Sequence, residues 1–185
     1  MIIETIFSTV DENGNANFAP MGIEWGDAFV VVRPFRSSRT FRNMRSGGCG
    51  VANLSDNVLA FVKCALFDEV LPSFPSVVIK GVVFRDTCSW LELEANSETG
   101  SDDRAEFICR ILHRGRQKDF LGFCRASNAV VEAAILATRL GVYNSERAEN
   151  SLNQYMKVVE KTGSENEKLA FRLVMEYVER HEKND

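Results

Sequence analysis

The stretch NFAPMGIEWGDAFVVVRPFRSSRTFRNMRSGGCGVANL, Asn17 to Leu54, holds the change of pattern on which the fold turns. It opens inside a strand, Ala16–Glu24, that is interrupted by Pro20. A proline there predicts an edge position, a bulge, or a place where the backbone turns to face a ligand. After the Trp25-Gly26-Asp27 turn, AFVVVR (Ala28–Arg33) is a continuous apolar run of the kind that forms a buried strand. Then strand alternation stops. SSRTFRNMRSGG reads as a short helix capped by Ser37 or Ser38 and ended by Gly47-Gly48, and CGVANL (Cys49–Leu54) returns to a buried strand.

The same stretch carries the chemistry. Arg33, Arg36, Arg39, Arg42 and Arg45 recur every three residues, and no acidic residue lies between Asp27 and Asp56. Ser37, Ser38 and Thr40 interleave hydroxyl donors where a helix begins, and a helix start attracts anions through its free N–H groups and its dipole. Guanidinium groups add bidentate, permanently charged contacts. Asn43, about one turn beyond Thr40, can orient a polar ligand group. Together these residues describe a phosphomonoester pocket. Two other readings stay open: a solvated helix face whose arginines pair with acids elsewhere, and a patch for an RNA backbone. Arginines three apart cannot all face one way on a helix, so two or three at most meet one phosphate.

Outward from this stretch, Ile2–Val10 is β-branched and aromatic, and Asn13-Gly14 is a strong hairpin turn. Downstream, Ser55 or Asp56 can cap a helix over Asn57–Phe67. Pro72 and Pro75 mark an irregular stretch before a strand at Val77–Phe84. Ser89–Ala95 alternates as a half-buried strand, and the polar loop NSETGSDD joins it to a hairpin partner at Ala105–His113. After Phe120 the period becomes helical. Ser127–Val142 is apolar nearly all round, with Glu132 and Arg139 close to one face; a buried pair is the expected reading, against one of the two reaching the site. Ala148, Leu152, Tyr155, Met156 and Val159 outline an amphipathic helix ended by Gly163. Ser164-x-x-Glu167 is a capping box for a last helix that buries Ala170, Leu173, Val174, Tyr177 and Val178. The fold class is α+β: a β-rich domain over residues 1–120 and a small C-terminal helical region over residues 121–185.

Composition narrows the function. With 185 residues, 45% hydrophobic, a net charge of −4 and a pI near 5.4, this is an ordinary globular chain, not a dedicated nucleic-acid binder. No apolar run approaches the roughly 20 residues that span a bilayer, so no membrane partner is expected. The cysteines, Cys49, Cys64, Cys88, Cys109 and Cys124, are odd in number, lack a C-x-x-C pair and mostly lie in apolar surroundings. They read as structural thiols in a reducing, cytoplasmic compartment. No metal site is expected, because the two histidines, His113 and His181, stand far apart. Phosphate-loop, Rossmann, nucleophile-elbow and zincin motifs are all missing, so hydrolytic chemistry has no visible machinery.

The order N-x-A-P-M-G-[IV], buried strand, R-P-F-R-S-S-R-T-[FY]-R-N, V-x-N-[IL] resembles an FMN-binding family, the domain-of-unknown-function family four hundred and forty-seven, found mainly in methanogens and in bacteria using methanopterin cofactors. The matching residues are Asn17, Ala19–Gly22, Arg33–Asn43, Val51, Asn53 and Leu54, and a later match covers Phe123–Leu140. Cys124 departs from the family pattern, which has asparagine there. The resemblance implies a split β-barrel of the flavin-reductase-like type, FMN as cofactor, a homodimer, and a small-molecule redox substrate. It implies that Arg36, Ser37, Ser38 and Thr40 hold the phosphate, that Ala19, Pro20, Met21 and Gly22 face the isoalloxazine, and that Asn43 and Asn53 approach the flavin or ribityl chain. The residues alone supply the phosphate cradle; only the resemblance supplies the flavin ring. The expected function is an FMN-dependent oxidoreductase, against a non-catalytic flavin carrier or sensor, or a phosphate- or RNA-binding protein. The resemblance designates no catalytic residue.

Overall fold

Alternation of side chains around closed hydrogen-bonded strands explains the first half of the molecule. The computed structural model describes residues 1–140 and 145–182. Strands β1 (Ile2–Val10), β2 (Ala16–Trp25), β3 (Phe29–Val32), β4 (Cys49–Leu54), β7 (Ser89–Gly100) and β8 (Ala105–Arg116) close a barrel in the order β1-β2-β3-β8-β7-β4, every pairing antiparallel. Successive side chains on a strand point to opposite faces. The register therefore brings Phe7, Ile23, Val30, Val32, Ala52, Leu91, Leu93, Phe107 and Cys109 into one interior cluster, all of them buried. Burial pushes the Cys109 thiol up to about 12, so it is an inert filler.

Helix α1 (Arg39–Gly47) closes one end of this barrel by adding Phe41 and Met44 to the cluster. Its start and stop are local. Ser38 Oγ accepts from the N–H of Phe41 at 3.1 Å, and Gly48 ends the helix in the left-handed conformation at φ 66°, where a glycine carries no Cβ penalty.

The expected strand at Val77–Phe84 is corrected. Only β6 (Val82–Phe84) is a strand; it pairs with β5 (Ser73–Pro75), and residues 76–81 form a loop between them. The cause is Glu92 on β7, fully buried, whose carboxylate accepts from the N–H groups of Val77 (2.7 Å), Val78 (2.7 Å) and Ile79 (3.1 Å) and from the Trp90 indole (3.1 Å). Backbone donors captured by a carboxylate cannot serve a ladder. The strand expected at Ser89–Ala95 runs on to Gly100, through much of the segment expected as a polar loop.

Contacts divide the chain into two compact units, Met1–Ser55 with Glu69–Phe120, and Asp56–Asp68 with Leu121–Asp185. The second consists of α2 (Val58–Leu66), α3 (Arg125–Ala137), α4 (Ser145–Thr162) and α5 (Glu165–Glu182). The cap of α2 is Asn57, whose side chain accepts from Ala60 N–H at 3.0 Å, in place of Ser55 or Asp56. The capping box of α5 forms as spaced: Ser164 N–H donates to Glu167 Oε2 at 2.9 Å, and Ser127 Oγ reaches the same side chain. Ala148, Leu152, Val159, Ala170, Val174 and Val178 are buried, together with Phe171. The buried Glu132–Arg139 pair does not exist. Both side chains are exposed, because α3 buries only its alanine-rich stripe, Ala126, Ala129, Val130, Ala133, Ala134 and Ala137. The helix stops at Ala137, with Thr138 as its cap, short of the expected end at Val142, which itself lies outside the described residues. No helix among the described residues is long and apolar enough to cross a membrane.

Candidate functional site

The barrel is not hydrogen-bonded along its full height. β1 pairs with β2 from end to end, Ile2↔Glu24 through Val10↔Ala16, but β3 meets β2 only at Ile23–Trp25. The stretch Ala16–Gly22 therefore has no strand on its second side. In an antiparallel strand, backbone groups point alternately to the two neighbours, so part of this margin has polar groups facing no ladder. Pro20 sits in this margin, which is where a residue lacking N–H is tolerated. Ala19, Pro20, Met21 and Gly22 are all half-buried. Met21 also packs against the barrel core, and its carbonyl accepts from Thr5 Oγ1 at 2.9 Å.

The start of α1 adjoins this margin. Asn17, at the head of β2, donates to Thr40 Oγ1 at 3.2 Å, and Asn43 donates to Thr9 Oγ1 at 3.0 Å. Asn17, Thr9 and Thr40 are buried. These four side chains lock the helix to β1 and β2, and they fix where its first turn points. The N–H groups of that turn lack intrahelical acceptors by geometry. The turn contains no acidic residue. From Asn17 to Gly22 the strand advances about 17 Å.

The arginines divide. Arg33 is held by Glu24 and Glu106, both at 2.8 Å, and these ion pairs raise its already high pKa further. Arg36 donates to Glu98 Oε1 at 2.9 Å and to the carbonyls of Ser101 (2.7 Å) and Thr99 (3.3 Å), while its guanidinium lies 5.3 Å from the Phe41 ring centre. Arg45 reaches Glu98 at 4.0 Å. For these three, the reading in which arginines pair with distant acids is the observed arrangement. Arg42 donates to Ser37 O at 2.8 Å. Ser37 and Arg39 are exposed beside the first turn of α1.

The other expected ligand residues are brought close but are engaged internally. The Ser38 hydroxyl donates to Phe35 O at 2.7 Å while it caps the helix. Thr40 and Asn43 belong to the locking network. Asn53 is fully buried; its amide donates to Ile6 O (2.8 Å) and Ser8 Oγ (3.0 Å), and its oxygen accepts from Phe84 N–H (2.8 Å). It ties β1, β4 and β6 together. Asn17, which the sequence reading used only as a motif position, is the residue that joins helix to strand. Its alignment with Thr40 across 23 residues had no signal in local spacing. Among the described residues, no cluster of His, Cys, Asp and Glu could hold a metal ion.

A six-stranded antiparallel barrel with one incompletely paired strand, plugged at one end by a short helix, is the split barrel of flavin-binding proteins. The chain matches the DUF447 N-terminal domain over residues 3–118 and DUF447 over residues 124–176, a protein family of unknown function, and it belongs to that family. Among solved structures it is similar to the FMN-bound DUF447 protein MM1853 from Methanosarcina mazei, with 27% identity, a TM-score of 0.83, and coverage of 95% of this chain and 94% of that one. Flavoredoxin from Methanosarcina acetivorans shares the barrel at 16% identity and a TM-score of 0.58, over 65% of this chain and 72% of its own. So does the FMN-binding protein from Thermus thermophilus with bound p-hydroxybenzaldehyde, at 13% identity and a TM-score of 0.54, over 62% of this chain and 71% of its own. No curated protein matches the chain in sequence.

Proposed function

We propose that this protein is an FMN-binding flavoprotein and acts as an oxidoreductase on a small-molecule substrate. The observation that carries the reading is the β2 margin, Ala19–Gly22, open on one side and standing beside a helix start that lacks an acid of its own. A mononucleotide has both complements, a dianionic phosphate and a flat ring with polar edges. In this reading the first turn of α1, Ser37 and Arg39 take the phosphate. The backbone of Ala19, Pro20, Met21 and Gly22 takes the edge of the isoalloxazine. Arg36, Ser38, Thr40, Asn43 and Asn53 act one step back. Ser38 and Arg36 hold the loop, Thr40 and Asn43 hold the helix, and Asn53 holds β4 against β1. FMN, when bound, supplies hydride and electron transfer, and the chain supplies position and water exclusion.

The FMN-bound family member supports the cofactor. Five free cysteines support a reducing, cytoplasmic compartment. The ligand-bearing part is the barrel within residues 1–120, with residues 121–185 as an appended helical region, and the homodimer implied by the barrel class belongs to the same reading. Light scattering on purified protein checks the dimer. The test of function has two stages. Purified protein is expected to carry or take up FMN with a flavin absorbance spectrum, and a chain that binds none refutes the reading. Holoprotein that oxidises NADH is then an enzyme; holoprotein that keeps its flavin but transfers no electrons is a carrier.

A further inference from the structure

Ile3 of β1 and Ile23 of β2 are opposite each other in the register and pack into the barrel interior, so the next pair, Glu4 and Gly22, faces outward. A Cβ on Gly22 would meet Glu4 Oε1 and Ile2 Cγ2, each at 3.0 Å. The Glu4 carboxylate therefore reaches across to β2 and lies in the space that a side chain at position 22 would fill. Close approach of another group is one reason for a glycine inside a strand. The backbone at Gly22 turns toward the open margin as well. Trp25 N–H donates to Met1 O at 2.8 Å, on the β1 side, whereas Gly26 N–H donates to Phe29 O at 3.1 Å, on the β3 side. These directions alternate along an antiparallel strand, and the β1–β2 register is unbroken. Gly22 N–H and the carbonyls of Pro20 and Gly22 thus face the side that β3 leaves unpaired. Two other acids near this corner, Glu24 and Glu106, share Arg33, each at 2.8 Å. Glu4 is an exposed residue at Gly22 itself.

We propose that Glu4 sets the charge beside the flavin ring, so that reduced FMN binds more weakly, relative to oxidised FMN, than it would without this carboxylate. The inference rests on the flavin reading above, which puts the ring edge on the backbone of Ala19–Gly22. Reduction of FMN takes up two electrons and, at neutral pH, one proton, so the ring gains one negative charge. A carboxylate at Gly22 repels that charge, and its exposed position tempers the repulsion without cancelling it. Oxidised FMN has a neutral ring and escapes the effect. By linkage, a group that weakens the reduced form lowers the potential of the bound cofactor and makes it the stronger electron donor.

Anaerobic titration of apoprotein with FMN and with dithionite-reduced FMN tests this, read as the ratio of the reduced to the oxidised dissociation constant. Glu4→Gln is expected to lower that ratio by roughly fivefold or more. Oxidised FMN should stay within about threefold of wild type, which also shows that the variant is folded. Glu4→Asp, with the charge kept on a shorter reach, should fall between. Glu12→Gln removes the same charge in the turn at the far end of β1, well beyond the screening length, and should move the ratio by less than about twofold. A ratio unmoved by Glu4→Gln, or moved as far by Glu12→Gln, would overturn the inference and leave the flavin reading standing. Wild type that binds neither form would overturn that reading and this inference with it.

Discussion

Two sets of backbone N–H groups in the barrel unit meet opposite fates. Those of Val77, Val78 and Ile79 converge on the Glu92 carboxylate, an anion the chain supplies to itself and buries completely. Those of the first turn of α1 meet no acid from their own helix. In the helical unit, α5 behaves like the first set, with Glu165 and Glu167 in its opening turn and Glu167 closing a capping box. A donor cluster that the chain fills is architecture. One that it leaves without an acid, amid a run of arginines, is the place where the proposed reading puts the phosphate. In the same stretch Ser38, Thr40, Asn43 and Arg36 make hydrogen bonds within the chain that hold the helix and the loop before it.

The filled cluster offers the largest effect. Glu92→Gln keeps the shape but replaces one acceptor oxygen with a donor facing other donors, and is expected to cost about 3 kcal/mol of folding stability, read by denaturant titration. A loss below about 0.5 kcal/mol would break the comparison, since the loop would then not depend on the internal anion. The same carboxylate predicts a pH dependence. Burial raises its pKa, but the N–H groups of Val77 and Val78, the Trp90 indole and Ile79 N–H outweigh that and hold it below the usual 4.5. A depressed folded-state value contributes stability that is complete above the unfolded pKa and disappears as pH falls through the folded one. Wild type should therefore lose stability below about pH 4.5, and Glu92→Gln should lose less over the same window.

At the start of α1, Ser37→Ala with Arg39→Ala is expected to weaken FMN about thirtyfold, or about 2 kcal/mol, with folding stability nearly unchanged. Equilibrium titration of apoprotein checks it; unchanged affinity would remove these two residues from the phosphate site. Ser38→Ala should behave differently, lowering stability by about 1 kcal/mol through loss of the helix cap and weakening FMN only through the displaced turn. The smallest effect belongs to Glu98→Gln. It unties Arg36 and Arg45 at a pair whose members are about a third exposed, so it should change stability by less than about 1 kcal/mol in thermal melts.

Much of the barrel was legible because its signals are local. β1 begins and ends where its β-branched run does, β4 matches the expected Cys49–Leu54, Gly48 stops α1, and Ser164-x-x-Glu167 starts α5. The features that escaped depend on partners far along the chain. Val77–Ile79 looks like a strand until Glu92 reaches back from β7 to take its donors. Arg33 and Arg36 recur in step with the other arginines, and their ion pairs with Glu106 and Glu98, on β8 and β7, had no signal in local spacing. Glu132 lies on α3 and Arg139 past its end, and which face α3 would bury depended on elements that its own sequence does not contain. The open margin of β2 was foreshadowed by Pro20 as one of three possibilities, and only the short β3 ladder decides among them. The flavin ring was never legible in composition or spacing; family membership and an FMN-bound relative carry it.

A paired titration of apoprotein with FMN and with riboflavin tests the phosphate assignment at the start of α1 most directly, because the two ligands differ only in the phosphate. The account predicts riboflavin binding at least a hundredfold weaker, about 3 kcal/mol, with the gap narrowing as salt screens the anion. Equal affinities would contradict it, leaving the helix start without its assigned ligand.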